Sequence, residues 1–281
     1  LSLQKFDIHL YEGTNNIKDY SSQFLVTDGY EMEEAKVSLN KIYTHGFYRL
    51  YQASYDEDEM GSVLAINSDP IGIPITYCGY FLLFISLIWI LIDKKGGYRK
   101  LLKRSWQQFR NLLIVVFSLV GIGFIYLIYH FSHIDFSDGE HAPILNSPYF
   151  CVHVSVIMMS YVLLMLTCIS GIMGICWRSR RERMQDLSRL FLYPALTTMG
   201  LGIFIGAIWA NVSWGTYWSW DSKETWALIT FMIYAVVVHT QSLPVFRKPL
   251  IYHIYISLAF LSIAMTYFGV NFFLTGMHSY A

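Results

Sequence analysis

Five of the chain's eight tryptophans crowd into one short stretch, WANVSWGTYWSWDSKETW, at Trp209, Trp214, Trp218, Trp220 and Trp226. Asn211, Asp221, Lys223 and Glu224 are interleaved with them. A helix facing lipid has little use for indole so mixed with charge, whereas a surface that holds a large flat apolar molecule with charged edges does. Indole faces offer apolar and π contact, and indole N–H groups, loop amides and Lys223 can meet acidic edges. Asp221 would repel such edges, so it is expected to hold the loop by accepting backbone or indole donors.

Three histidines add metal chemistry. His153 and His278 fall at the ends of two separate apolar runs, level with the tryptophans if every run crosses a membrane. Two imidazoles flanking an aromatic floor are what a haem iron needs, one nitrogen on each side of the macrocycle. Each alone is also read as an interfacial hydrogen-bonding residue; the shared level favours ligation. His239 follows Trp226 by 13 residues, roughly 20 Å deeper on one helix. An ionisable group there is a functional candidate that should have a partner, either His253 or a residue upstream, and bonding to a neighbouring helix is the plainer alternative. His9, His45, His130, His133 and His141 lie in external segments. Cys78, Cys151, Cys168 and Cys176 form no C-x-x-C pair and precede no His, so they read as small apolar packing.

These side chains need a membrane scaffold. The chain is 54% apolar, 17% aromatic and only 14% charged, and its formal charge cancels, which points to a polytopic membrane protein with lipid around it and to no nucleic-acid partner. Six apolar runs, at 71–92, 112–129, 149–176, 190–210, 225–240 and 250–269, approach the roughly 20 residues a crossing needs; 225–240 is short and borrows from the tryptophan loop. If all cross, the loops 93–111, 177–189 and 241–249 share one face and carry 14 of the 20 Lys and Arg. That face is then cytoplasmic, with the tryptophans and the C-terminus outside.

Residues 1–70 are different material, with twelve acidic and five basic residues. Alternating stretches at 5–10, 23–27, 36–40, 48–53 and 62–67, broken by turn residues, predict strands. The expected fold is mainly α, a membrane bundle of about six helices, with a partial external β-domain at the N-terminus. Leu1 opens without Met or a leader, which reads as the middle of a longer chain.

At residues 214–221, WGTYWSWD matches the tryptophan-rich WGxxWxWD pattern of haem-handling proteins of cytochrome c biogenesis. GAIWANVSWG, KETWALIT and VVVHT resemble the CcsA branch of system II. VHVSVIMMSY, with His153, and GMHSY, with His278, are similar to its two external haem-ligand segments, and VVVHT places His239 on its inner haem histidine. HGFYRLYQASY and Asp69-Pro70 resemble the end of CcsB. The whole therefore resembles the C-terminal part of the CcsBA cytochrome c synthase family: 1–70 from the external CcsB domain, 71–111 the last CcsB helix and a basic linker, and 112–281 the CcsA part, with its tryptophan segment at 209–226.

The resemblance implies a bacterial cytoplasmic-membrane protein that exports haem b outward past His239. Outside, Trp209, Trp214, Gly215, Trp218, Trp220, Asp221 and Trp226 hold it, with its iron between His153 and His278. It also implies an apocytochrome c partner, whose Cys-x-x-Cys-His thiols form thioethers with the haem vinyl groups. No residue here reads as nucleophile or base; nucleophiles arrive on the substrate. The family's other inner haem histidine lies in early CcsB helices, and none precede residue 71, so an upstream segment or second polypeptide completes that site, or else His253 does. Two other classes fit less of the pattern: a diheme electron carrier of cytochrome b type, and a glycan or lipid transporter or transferase.

Overall fold

The structure is a computed structural model that describes residues 1–29, 31–58, 60–139, 142–239 and 242–274. The chain divides into two compact units, one built from 1–79, 132–151 and 205–219 and the other from 80–131, 152–204 and the residues from 220 onward.

In the first unit, β1 (Ser2–Leu10), β2 (Ile17–Asp28) and β3 (Glu31–Ser38) form one antiparallel sheet, and β4 (Tyr43–His45), β5 (Tyr48–Tyr55) and β6 (Ser62–Asn67) form another. Phe24 and Val26 alternate along β2, Ala35 and Val37 along β3, so each pair faces one way. Leu50 of β5 joins them in a single core, edged by Tyr43 and Leu64. Inside it Ser22 donates to the side-chain amide oxygen of Gln52 at 2.6 Å, which gives both buried groups a partner. All five predicted strands are present. β4 is the addition, too short at three residues to leave an alternating pattern.

The helices are α1 (Gly72–Ile92), α2 (Gly97–Ser132), α3 (Pro148–Cys176), α4 (Arg181–Trp214), α5 (Ser222–Val236), α6 (Pro249–Ala264) and α7 (Val270–Phe273), with a π-helical turn at Met265–Gly269 between the last two. Among the described residues, four stretches are long and apolar enough to cross a membrane: Gly72–Ser132, which joins α1 and α2, then Pro148–Cys176, Arg178–Trp214 and Pro249–Phe273. The protein is thus a mainly helical membrane protein. α5, at 15 residues, rises only about 22 Å, short of the ~30 Å hydrocarbon core. Length and composition therefore carry fewer crossings than the six apolar runs suggested.

The second unit holds the main helical core. Leu101, Ser105, Phe109 and Leu113 recur every fourth residue as the buried stripe of α2, and the three apolar ones pack with Met184, Leu187, Leu190 and Phe191 of α4. Leu164 of α3, Met199 of α4, Tyr234 of α5 and Ile256 of α6 meet in a larger cluster. Hydroxyls tie the helices together: Ser188 of α4 donates to the Thr167 carbonyl of α3 at 3.1 Å, and Thr266 in the π turn donates to the Trp226 carbonyl of α5 at 3.2 Å. Pro148 and Pro249 open α3 and α6, where a missing N–H costs nothing.

Candidate functional site

The tryptophan segment is shared between the units, and its residues do not behave alike. In the first unit, Trp209 near the end of α4 is 1% exposed. Its ring packs against Trp214, with centroids 4.9 Å apart, and against Phe150 at 5.5 Å, in a cluster with Phe136 and Leu145. Trp209 is thus a core residue that anchors the segment. Trp214 is half-buried beside it, and Trp218 is half-buried further along.

Backbone geometry explains how the chain leaves α4. Gly215 has φ +78°, in the left-handed region that a side chain disfavours. A Cβ there would stand 2.8 Å from the Tyr51 ring. Its carbonyl accepts a hydrogen bond from the Asn67 side-chain amide at 2.7 Å. Asn40, itself at φ 57°, accepts from the Ser213 hydroxyl at 2.7 Å and donates to the Ile144 carbonyl at 2.9 Å. Asn40, Tyr51 and Asn67 were not singled out from the sequence. Asn beside a strand end is a common left-handed position, which signals the turn at Asn40 but not its partners.

In the second unit, Trp220 is 71% exposed and has φ 56°. A bulky aromatic in that region is a backbone outlier, and such outliers concentrate at functional sites. The Thr225 hydroxyl donates to its carbonyl at 3.3 Å. Asp221 is the N-cap of α5: its carboxylate accepts from the Lys223 amide at 2.8 Å, and its carbonyl accepts from the Thr225 amide at 2.9 Å. This is the loop-holding role that charge repulsion led us to expect. Lys223, ahead of the apolar run, reaches the Asn271 side chain at 3.1 Å; burial draws its pKa below the ordinary lysine value, against the pull of Asp221. Trp226 is half-buried on α5.

His153, one turn into α3, is half-buried, and its Nδ1 lies 2.9 Å from the Gly202 carbonyl. A carbonyl only accepts, so Nδ1 carries the proton and the lone pair sits on Nε2. That is the tautomer a metal-ligating histidine adopts when its other nitrogen bonds a backbone oxygen. Gly202 escaped the sequence reading, which carried no cue to it. His278, its expected counterpart, lies outside the described residues, as does His141.

His239 departs from its expected setting. α5 ends at Val236, so the imidazole is not on the same helix as Trp226 but in the turn beyond its C-terminus, where it is exposed. Its amide bonds the Val236 carbonyl at 3.2 Å, and its carbonyl accepts from the Leu243 amide at 2.9 Å. The helix stops there because polar residues and Pro244 follow the apolar run. His253 is fully buried and donates Nε2–H to the Arg181 carbonyl at 2.9 Å. Its ring fills the space over Gly174, where a Cβ would fall 2.2 Å from Nε2. A ring so enclosed is a packing histidine, with no room for a porphyrin beside it. Among the described residues, no three of His, Cys, Asp and Glu gather as a metal-binding group.

Four stretches long and apolar enough to span, an exposed aromatic in a strained turn and an imidazole whose Nδ1 is bonded to a backbone carbonyl mark a polytopic membrane protein. The model of the cytochrome c assembly protein family matches residues 80–278, and the chain belongs to that family. Protein NrfI of Wolinella succinogenes is 34% identical over 203 residues, which cover 66% of this chain and 22% of that protein. The cytochrome c biogenesis protein CcsA of Pyropia yezoensis is 49% identical over 90 residues, covering 31% and 26%. CcsA of Guillardia theta is 33% identical over 171 residues, covering 49% and 56%. The chain thus spans less than two thirds of each of these relatives, and the family match begins beyond the two β-sheets.

Proposed function

We propose that the chain is the haem-delivering part of a CcsBA-type cytochrome c synthase in a bacterial cytoplasmic membrane, a holocytochrome c synthase in activity. Haem b enters near His239 and moves outward. It then lies against the exposed end of the tryptophan segment, with its iron held by His153 and by His278. Trp220 and Trp226 offer it ring faces, while Trp209, Trp214 and Gly215 hold the segment in shape. An apocytochrome c brings a Cys-x-x-Cys-His segment, and each thiol adds across a haem vinyl group. Sulfur bonds the inner vinyl carbon and the hydrogen ends on the terminal one, so no oxidant is consumed.

In this reading residues 1–70 belong to a CcsB-like external domain and the tryptophans and C-terminus lie on the periplasmic side, the short α5 crossing together with the tryptophan loop that precedes it. The second inner ligand in this reading comes from an upstream CcsB part, which the enclosure of His253 supports. The observation that carries the proposal is the Nδ1 bond of His153 to Gly202, which puts the ring proton on Nδ1 and the lone pair on Nε2, the tautomer that suits an iron ligand. In the full-length synthase, His153→Ala should lose one of two haem absorbance signals and thioether transfer to a Cys-x-x-Cys-His peptide, with the chain still in the membrane. Full haem occupancy with unchanged spectra and transfer would overturn it.

A further inference from the structure

The second unit contains a cavity of about 300 Å³ on which cationic groups converge from well-separated parts of the chain. Lys100 and Arg104 come from α2, Arg189 and Tyr193 from α4, and Val237 and Val238 from the turn after α5. Basic residues at a membrane edge are common because they set orientation. Their convergence on one cavity with a partly apolar lining is a separate observation.

The charges in and beside it do not cancel. Arg104 is paired with Asp186 of α4. Arg189 donates to the Phe246 carbonyl at 3.1 Å, and its guanidinium lies 5.0 Å over the Tyr252 ring, so the side chain is held in place while still lining the cavity. Lys100 is exposed, and among the described residues it makes no ion pair. Leu101, Val237 and Val238 make part of the lining apolar, with Val237 fully buried. The chain then passes directly from Val238 to His239, a step of about 3.8 Å between Cα atoms. A cationic rim, a partly apolar lining and an imidazole one residue away together suit a ligand with an apolar body, oxyanions on one edge and a Lewis-acidic centre.

We infer that this cavity receives the two carboxylates of haem on the basic face of the protein, before or as its iron meets His239. The inference rests on the proposed function and adds the groups that recognise the substrate's acidic edge. The Arg189 fork and the Lys100 ammonium would form charge-assisted hydrogen bonds to the carboxylates, and the Tyr193 hydroxyl could donate one more. Because Lys100 and Arg104 are exposed, their attraction acts on capture and weakens as salt rises. The headgroup of an anionic lipid presents the same oxyanion chemistry, so the test must separate the two sources.

The full-length protein with His153→Ala, reconstituted in phosphatidylcholine nanodiscs, can be titrated with zinc protoporphyrin IX and with its dimethyl ester. The diacid should bind more tightly than the ester. Lys100→Gln should cut that preference by about tenfold, Lys100→Arg should keep it, and added salt should erode it. An unchanged preference in Lys100→Gln combined with Arg104→Gln would overturn the inference. If His239→Ala abolishes porphyrin binding while the charge variants have no effect, only the carboxylate cavity falls; if His239→Ala has no effect, the inner-site reading falls as well. Loss of phosphatidylglycerol binding in Lys100→Gln, with no diacid preference in the parent, would make the occupant a lipid and also overturn it.

Discussion

Trp220 is held in a backbone region that bulky aromatics avoid, and it is also the one tryptophan of its segment left largely open. Conformations of this kind cost about 1–3 kcal/mol, so the position trades stability for the presentation of a ring. Trp220→Asn, which tolerates a left-handed backbone, should therefore raise thermal stability by about 1 kcal/mol while weakening porphyrin binding. A variant that is both less stable and unchanged in binding would remove the functional reading of the strain. Residue types were legible from the sequence, but roles within the segment were not. Trp209 and Trp220 are the same residue eleven positions apart, yet one is 1% and the other 71% exposed. The difference arises because Phe136, Leu145 and Phe150, distant in sequence, close over Trp209. Local spacing holds no record of such partners. His153 shows the same limit: its place near a helix start was readable, whereas the Gly202 carbonyl that sets its tautomer comes from another helix.

α3 and α6 meet at a point where one side has no side chain. Gly174 leaves the space that the His253 ring occupies, and the ring uses its Nε2–H to satisfy the Arg181 carbonyl at the start of α4. Gly174→Ala should destabilise the protein by about 1–3 kcal/mol through overpacking. Adding His253→Ala should recover part of that loss, because it removes the clashing ring. Denaturation of the two variants and the double variant in detergent gives the coupling directly, and strictly additive losses would contradict the contact. Among the elements, long apolar runs and period-two strands were the most legible features. α4 extends beyond its apolar run at both ends, because Arg181–Arg189 are largely good helix formers. α5 is shorter than its run, because apolar character alone does not keep a helix going through a polar, proline-terminated turn. The three-residue β4 left too little pattern to see.

Sidedness is a property of the whole chain, and one thiol reports it. Cys176 is exposed at the end of α3, next to the basic stretch 177–189. With Cys176 as the only cysteine, the full-length protein should react with a membrane-impermeant maleimide in inverted vesicles and remain unlabelled in intact cells; the reverse pattern would invert the proposed orientation. That proposed orientation rests on the alternation of basic and acidic loops, because charge partitioning across a bilayer depends on loop composition more than on tertiary contacts. The makeup of the first unit was not readable, since it combines three stretches far apart in sequence. Asn67 meets Gly215 across a separation of 148 residues. At ribosomal speeds of 5–20 residues per second, β6 waits about 7–30 s for that carbonyl to be synthesised. During biogenesis the strands must therefore persist without their eventual partner, and a nascent chain arrested before α4 is complete would display Asn40, Tyr51 and Asn67 to any chaperone or protease at the membrane surface.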